Sequence, residues 1–175
     1  MTNPYDVIAK VPSFTLWSDD ISDGAQMSLP QVSAIFGAGG GDVSPHLEWS
    51  GFPDATKSFV VTVFDPFAPT ASGFWHWAVA DIPASVTRLA SGAGDDGGTG
   101  LPAGAWQAPN DARLRRYVGA APPPGHGKHI YYTAVHAIDI GRIEIDRDST
   151  PAFLMFNICA HTLARAVLAP WWESK

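Results

Sequence analysis

A few polar residues at the ends of predicted strands offer the clearest chemistry in this sequence. Asp65 closes the segment Ser58–Asp65, whose β-branched and aromatic residues are typical of a strand. Its carboxylate lies on the same side as two valines of that strand and so points towards an apolar face. Because a carboxylate is rarely buried without a partner, Asp65 needs a hydrogen-bond donor. Two imidazoles, those of His76 and His129, lie on the next two clear strands.

The alternation of side chains along a strand predicts which residues accompany the two histidines. His76 shares its predicted face with Phe74 and Ala78, and His129 shares its face with Tyr131. If the three strands are neighbours, a carboxylate, two imidazoles and a phenol meet at one end of a sheet. Such a set is suited to a pocket for a small anion.

Two glycines upstream of His129 favour the same interpretation. Gly125 and Gly127 expose backbone N–H groups with no side chain in the way, which suits an anion. A purely structural role is also open for each polar residue. Asp65 precedes Pro66 and is typical of a turn, while either histidine is compatible with an ordinary core position. Spacing alone does not establish that the strands meet.

The same residues allow a metal site as an alternative. His126 and His129 are three positions apart, and His76 and Asp65 would supply further ligands suited to iron or zinc. Against this interpretation, His126 lies in a loop rich in proline and glycine, and no His-x-His pair accompanies it. We therefore expect no metal and no cofactor.

A hydrolase is the alternative from a different functional class. Asp65 would orient His76 or His129 as a general base, and water would be the nucleophile. The sequence contains no G-x-S-x-G elbow, Walker phosphate loop, dinucleotide fingerprint or H-E-x-x-H motif. We therefore expect a binding protein rather than an enzyme.

Two glycine-rich segments are predicted to be plain loops. Gly37–Asp42 is not followed by the Lys-Ser/Thr pair of a phosphate loop. Ala90–Gly104 contains Asp95 and Asp96 but lacks the regular oxygen ligands and closing carboxylate of a calcium loop. We expect the longer segment to be a flexible surface loop.

The composition limits both the fold and the partners. Of 175 residues, 46% are hydrophobic and only 16% are charged, which argues against a helical bundle with its charged outer faces. A net charge of −6 without a basic block argues against a nucleic-acid partner. No apolar run approaches the roughly 20 residues that span a bilayer. With no secretory signal and a single cysteine, Cys159, we expect one cytoplasmic domain over residues 1–175.

Five segments are predicted to be strands. Three are clear, because Ser58–Asp65, Gly73–Asp81 and His129–Asp139 carry apolar residues on both faces, as strands covered on both sides do. Two are weaker, namely Ser13–Ser18 and Leu47–Trp49. Together with one late helix they predict a mainly β protein, a β-sandwich.

One helix is predicted near the end of the chain. Thr150 is a suitable N-cap and Pro151 suits the first turn. Apolar residues then recur at helical spacing as far as Ala169, and they predict one apolar face, formed by Phe153, Phe156, Ala160, Leu163 and Val167. Cys159 falls within this helix and is expected to be buried and inert.

Trp171 and Trp172 follow the predicted helix. Such large apolar side chains either fold back on the core or lie in a subunit contact. The second possibility predicts a homodimer.

Several ordered motifs resemble the phosphatidylethanolamine-binding proteins, also called the Raf kinase inhibitor proteins. They are the pentapeptide Asp65-Pro66-Phe67-Ala68-Pro69, the pair His76-Trp77, and the run from Gly125 to Tyr131 after a stretch of prolines. Ser44–Pro53 and Phe14–Gly24 resemble the bacterial branch of this family in particular. The resemblance extends from Phe14 to the C-terminal helix.

This resemblance implies a β-sandwich with a C-terminal helix and a small cavity that binds phosphate-like groups, including phosphorylethanolamine headgroups. It also implies regulation of a protein partner such as a kinase or a protease, and a homodimer in the bacterial branch. Matching positions would line the cavity, namely Asp65, Pro69, His76, Pro122, Gly127, His129 and Tyr131.

Two positions depart from the family pattern. Phe67 stands where the first motif usually has a second aspartate, and Ile130 stands where the second motif usually has an arginine. The loss of both together suggests that apolar packing replaces an ion pair, a change that is often neutral or stabilising. We expect the pocket to remain, with an altered affinity or ligand preference.

Overall fold

The computed structural model describes residues 3–175, which form ten strands, one α-helix and two 3-10 turns. The strands are β1 (Thr15–Trp17), β2 (Leu47–Ser50), β3 (Ser58–Asp65), β4 (Phe74–Pro83), β5 (Arg88–Leu89), β6 (Trp106–Gln107), β7 (His129–Ile130), β8 (Tyr132–Ile138), β9 (Thr162–Leu168) and β10 (Trp171–Trp172). The helix α1 is Pro151–Ile158, and the 3-10 turns are Pro4–Val7 and Leu29–Gln31. No helix among these residues is long and apolar enough to cross a membrane.

Two antiparallel sheets face each other across the main core. The larger sheet has the strand order β6-β4-β3-β8-β9, so β3 lies at its centre between β4 and β8. The smaller sheet has the order β1-β2-β5. Its residues Leu47, Trp49 and Leu89 are buried in one cluster with Val61 and Val63 of β3. The arrangement confirms the predicted mainly β fold.

The other face of the larger sheet is covered by α1. Val60 and Ala80 of the sheet share a second buried cluster with Leu154 and Ile158 of the helix. Because β3 is covered on both faces, every residue in it except Phe64 is buried. This double coverage explains why the segment is a nearly continuous apolar run.

All five predicted strands are present, although one of them is divided. β3 has the predicted bounds, Ser58–Asp65, and β4 continues beyond the predicted end to Pro83. The predicted strand His129–Asp139 is divided at Tyr131, whose N–H donates to the Pro170 carbonyl oxygen at 2.9 Å. Its first part, β7, pairs with β10 in a separate two-stranded sheet.

The prediction of a helix that extends to Ala169 is wrong for its second half. Thr150 caps α1 as predicted, since its Oγ1 accepts the N–H of Phe153 at 3.2 Å, but the helix ends at Ile158. Residues 162–168 instead form β9, which pairs with β8. From the third residue of β9, every second side chain is buried, a period that the sequence also permits. Residues 162–168 form a strand rather than a helix because they pair with the edge of β8.

The predicted apolar face of the helix is also wrong. Phe153 and Phe156, expected in the core, are 49% and 72% exposed, whereas Leu154 and Ile158 are fully buried. Cys159, expected to be buried inside the helix, is exposed at its C-cap. Since the helix contains no charged residue, its sequence does not indicate which face meets the sheet.

Trp171 and Trp172 fold back on the protein, which is the first of the two possibilities. They lie opposite Ile130 and His129 in the pairing of β10 with β7, and both are half-buried. Trp172 packs against the main core, and the Lys128 ammonium lies 3.7 Å from the centre of the Trp171 ring. The last strand is thus attached beside His129.

The predicted surface loop Ala90–Gly104 is partly buried. Ala93 and Gly94 lie below the surface, and the Gly94 N–H donates to the Ser44 hydroxyl at 2.8 Å. A Cβ atom on Gly94 would come within 2.7 Å of the Trp77 ring, so only glycine fits there. The middle of the loop therefore packs over the core.

We expect Leu154→Ala to destabilise the protein strongly and Phe156→Ala to leave it nearly unchanged. Leu154 is fully buried, and emptying such a site costs about 2–5 kcal/mol, whereas exposed substitutions usually stay within about 0.5 kcal/mol. Urea denaturation followed by circular dichroism measures both free energies of unfolding. A larger loss for Phe156→Ala would contradict the observed orientation of the helix.

Candidate functional site

A cavity of about 250 Å³ lies at the end of the larger sheet, where β3 ends and β4 begins. Six of the seven predicted site residues line it, namely Asp65, Pro69, His76, Pro122, His129 and Tyr131. Gly127, the seventh, is not among the lining residues, although its φ of +77° favours glycine. The structure thus brings together the carboxylate, the two imidazoles and the phenol.

Asp65 is buried, and both of its carboxylate oxygens accept hydrogen bonds. His129 Nδ1 donates to Oδ2 at 2.8 Å, and the Phe67 N–H donates to Oδ1 at 2.7 Å. Asp65 is only 2% exposed. Its side chain both stabilises the turn at Phe67 and holds the His129 ring. The hydrogen bond orients the His129 ring and leaves Nε2 as its remaining polar atom.

A β-bulge turns His76 into the cavity. In the register of β3 and β4, Val63 pairs with Trp77 and Phe64 pairs with Trp75. His76 is therefore an extra residue between two paired positions. Bulges of this kind re-aim a side chain and are common beside functional sites.

The bulge corrects one prediction about side-chain faces. His76 shares the cavity with Phe74, as predicted, but Ala78 lies on the opposite face, in the cluster beneath α1. Strict alternation predicts one face for residues 76 and 78, and the extra residue shifts that alternation by one.

His76 is attached to the neighbouring segment through both its side chain and its backbone. Its Nδ1 donates to the Val118 carbonyl oxygen at 2.8 Å, and the Val118 N–H donates to the His76 carbonyl oxygen at 3.1 Å. Burial lowers the pKa of His76 below its usual value, although the bond to Val118 and the Asp65 carboxylate oppose this shift. The neutral ring carries its proton on Nδ1, so Nε2 is an acceptor.

The Tyr131 hydroxyl is buried and makes no hydrogen bond of acceptable geometry within residues 3–175. Burial raises the pKa of Tyr131, and the Asp65 carboxylate adds to this shift, so the phenol keeps its proton. Its ring lies edge-to-face with that of His76, with 5.1 Å between the ring centres. An unsatisfied buried polar group costs about 1–3 kcal/mol, a cost that natural proteins accept mainly at functional sites.

Sequence reasoning did not assign half of the residues that line the cavity. These are Phe36, Ala68, Thr70, Phe74, Ala121 and Pro123. Most of them adjoin a predicted site residue in the sequence. Phe36 comes from a distant segment with no motif of its own, so only tertiary contacts place it at the cavity.

A second buried carboxylate joins two walls of the cavity. Asp42 is 4% exposed, and its Oδ2 accepts the N–H groups of Ala34 and Ile35 at 2.9 and 2.7 Å. Its Oδ1 accepts the N–H of Gly119 at 2.7 Å, just before the proline-rich wall. The predicted plain loop Gly37–Asp42 therefore ends in a residue that holds the walls at a set distance.

The described residues do not contain a group of three or more His, Cys, Asp or Glu side chains arranged to hold a metal ion. His126 is exposed, and its ring centre lies 5.8 Å from that of His129. The carboxylate of Asp95 accepts hydrogen bonds from the backbone and hydroxyl of Thr99. The carboxylate considered for calcium thus stabilises its own turn.

The two positions that depart from the family pattern lie beside His129 and do not line the cavity. The ring centre of Phe67 is 6.1 Å from that of His129. Ile130 is the next residue and lies opposite Trp171 in the pairing of β7 with β10. The replacement of an ion pair by apolar packing stays a prediction.

We expect His76 to remain neutral, with its proton on Nδ1, at about pH 6.5, where a histidine of the unfolded chain is half protonated. The unfolded chain then binds this proton more readily, so His76 makes the native state lose stability as the pH falls below about 6.5. Nitrogen-15 NMR of the imidazole identifies the tautomer and its titration. In His76→Gln the stability should fall less on acidification, and protonation of native His76 at or above pH 6.5 would contradict the shift.

Comparison with known proteins places these features in one family. The family model for phosphatidylethanolamine-binding protein matches residues 17–172 of this chain. The chain is 43% identical over 167 residues to the UPF0098 protein YbcL of Escherichia coli (strain K12), across 95% of this chain and 91% of that protein. It is 44% identical over 151 residues to the UPF0098 protein YbhB of the same organism, across 86% of this chain and 94% of that protein.

Solved structures agree with this assignment. The crystal structure of Escherichia coli YbcL, described as a new member of the mammalian PEBP family, matches with a TM-score of 0.90 and 44% identity, over 93% of this chain and 99% of that chain. The homologue CT736 of Chlamydia trachomatis matches with a TM-score of 0.77 and 27% identity, over the same two shares. The sheet arrangement and the sequence identity together show that this chain belongs to the phosphatidylethanolamine-binding protein family.

Proposed function

We propose that this protein binds small anions without catalysing a reaction, and that its ligands are phosphate monoesters or phosphorylethanolamine-type headgroups. The observation that carries this proposal is the convergence of Asp65, His76, His129 and Tyr131 on one cavity of about 250 Å³. A few polar groups set in apolar walls are typical of a small-molecule site. Membership of a family named for a phospholipid ligand supports the same role.

The hydrogen-bonding groups of the cavity favour a ligand that keeps one proton. His76 Nε2 is an acceptor, whereas the Tyr131 hydroxyl retains a proton that it can donate. A singly protonated phosphate offers both a P–OH donor and several acceptor oxygens. A fully ionised phosphate would be repelled by the Asp65 carboxylate in this partly enclosed site.

His129 supplies a pH dependence. Its Nδ1 is held by Asp65, so a proton added at Nε2 turns that atom into a donor for the anion and balances the charge of the carboxylate. The dianion of a phosphate monoester gains one proton near about pH 6 and becomes the singly protonated form. A proton on His129 adds a donor for the anion, and a proton on the phosphate reduces its repulsion by Asp65. We therefore expect binding to tighten as the pH falls.

Phosphorylethanolamine would meet the same groups through both of its charges. The ammonium group would face the Asp65 carboxylate, whose two oxygens each accept one protein hydrogen bond and keep further acceptor capacity. The neutral His76 ring accepts from the ammonium at Nε2, and protonated His129 donates to the phosphate.

We expect inorganic phosphate to bind more tightly at pH 6 than at pH 8, and His129→Ala to weaken binding at pH 6 by at least about tenfold. An uncompensated charge-assisted hydrogen bond is worth about 1.5–3 kcal/mol, and tenfold corresponds to about 1.4 kcal/mol. NMR titration of the labelled protein measures the affinity and identifies the histidines that respond.

His161→Ala is the matched control for this experiment. His161 also donates from Nδ1 to an aspartate, Asp139, at 2.8 Å, but the pair is partly exposed and lies outside the cavity. The control should bind phosphate as the wild-type protein does. Equal affinity at the two pH values would refute the protonation mechanism, and unchanged binding in His129→Ala would refute the site.

A hydrolase is the second candidate, favoured by the hydrogen bond between Asp65 and His129. An aspartate that holds Nδ1 of a histidine leaves Nε2 free to act as a general base on water. Assays with p-nitrophenyl phosphate and p-nitrophenyl acetate separate the two functions. Turnover that His129→Ala abolishes would replace the binding proposal, whereas equal background rates in both proteins would support it.

We further propose that the edge of the cavity contributes to the regulation of a cytoplasmic protein partner, such as a kinase or a protease. Capture of a partner on the immobilised chain should then weaken when phosphate is saturating. The homodimer stays a prediction, and both tryptophans are half-buried beside β7. Gel filtration that gives the mass of one chain would exclude it.

A further inference from the structure

The cavity is lined by a continuous series of aromatic rings that a phosphate ion alone does not need. Phe36 lies edge-to-face with Phe74, with 6.1 Å between the ring centres. Phe74 lies 4.7 Å from His76, and His76 lies 5.1 Å from Tyr131. A tetrahedral anion gains little from such surfaces, so they indicate an apolar part of the ligand.

We propose that this site prefers phosphate esters whose substituent is an aromatic ring, and that Phe36 is the residue that selects them. The inference rests on the proposed function, because the phosphate end of the ligand is assigned to His76 and His129. The aromatic end would lie between Phe36 and the prolines Pro122 and Pro123, which line the same cavity. Aromatic rings gain from edge-to-face and offset contacts beyond the area that they bury.

A second cavity, of about 750 Å³, continues from the first on the far side of Phe36. The two cavities share Phe36 and the wall Ala121–Pro123. A substituent that is attached to the bound phosphate and extends past Phe36 would therefore enter the larger cavity. This second cavity is also lined by polar and charged residues, namely Gln26, Glu173, Ser174 and Lys175. Such groups suit the polar edge of a ring system better than the tail of a fatty acid.

Phe36 is held in position even though it is 50% exposed. Its N–H donates to the Ser33 hydroxyl at 3.0 Å, and the preceding N–H of Ile35 donates to the buried carboxylate of Asp42 at 2.7 Å. A large apolar side chain on a fixed backbone at the mouth of a cavity is pre-organised for a ligand, which lowers the entropy lost on binding.

Three probes separate the parts of this inference, namely inorganic phosphate, cyclohexyl phosphate and phenyl phosphate, each titrated at pH 6. We expect phenyl phosphate to bind about tenfold more tightly than inorganic phosphate and several-fold more tightly than cyclohexyl phosphate. The two esters carry six-membered rings of similar size, so their difference reports the aromatic contact rather than apolar burial.

Three variants assign the effect to Phe36. In Phe36→Ala the ratio of the affinities for phenyl phosphate and inorganic phosphate, both measured on the variant, should fall to about one. Phe36→Tyr keeps the ring and should keep the preference. Phe156→Ala is the matched control, because Phe156 is 72% exposed and lies outside both cavities.

The outcomes distinguish this inference from the proposed function. If inorganic phosphate binds but phenyl phosphate binds no more tightly, the aromatic preference is refuted and the anion site stands. If cyclohexyl phosphate equals phenyl phosphate, the selection is for apolar bulk and the inference fails. A preference that survives in Phe36→Ala refutes the role of Phe36, and failure of all three probes refutes the anion site itself.

Discussion

The burial of β3 on both faces and along both edges is the constraint on which the rest of the structure depends. Its backbone pairs with β4 on one side and with β8 on the other, and its side chains enter the core between the sheets and the core beneath α1. A strand enclosed in this way has no place for a charge along its length. Its carboxylate stands at the last residue, Asp65, where the chain turns and His129 supplies a partner at 2.8 Å. The site is therefore a consequence of where the central strand ends.

Two buried histidines of the larger sheet show how a structural imidazole differs from a candidate site residue. His136 is fully buried on the α1 side of the sheet, where Arg165 Nε lies 3.1 Å from Nδ1 and Thr62 Oγ1 lies 3.1 Å from Nε2. Both ring nitrogens are thus satisfied, and burial lowers the pKa of His136 to about 3. His76 has a protein partner for Nδ1 but lies against open space at the cavity. Unused hydrogen-bonding capacity beside open space is what distinguishes the site from the core.

Two buried carboxylates organise the cavity from opposite sides. Asp65 uses its two oxygens for a backbone N–H and for His129, and Asp42 uses its own for three backbone N–H groups. Each therefore fixes backbone segments that carry the lining side chains, and neither needs a neighbouring lysine or arginine for the purpose. The charges of both carboxylates are thus stabilised by hydrogen bonds from the protein beside the aromatic lining of the cavity.

The sequence by itself determined the elements whose pattern has one solution. Ser58–Asp65 is apolar on both faces, as a strand covered on both sides is, and its predicted bounds are those of β3. The strand motifs named Asp65, His76 and His129 as candidates, but the meeting of the three residues depended on how the strands pair. Tertiary structure decided whatever the local pattern left open. Residues 162–168 suit a helix or a strand, and the unpaired edge of β8 made them β9. The uncharged helix has two apolar faces, and the face that contains Leu154 packs against the sheet. Phe36 reaches the cavity because Asp42 joins its loop to Gly119, and such contacts between distant parts of the chain leave no periodic signal in the sequence.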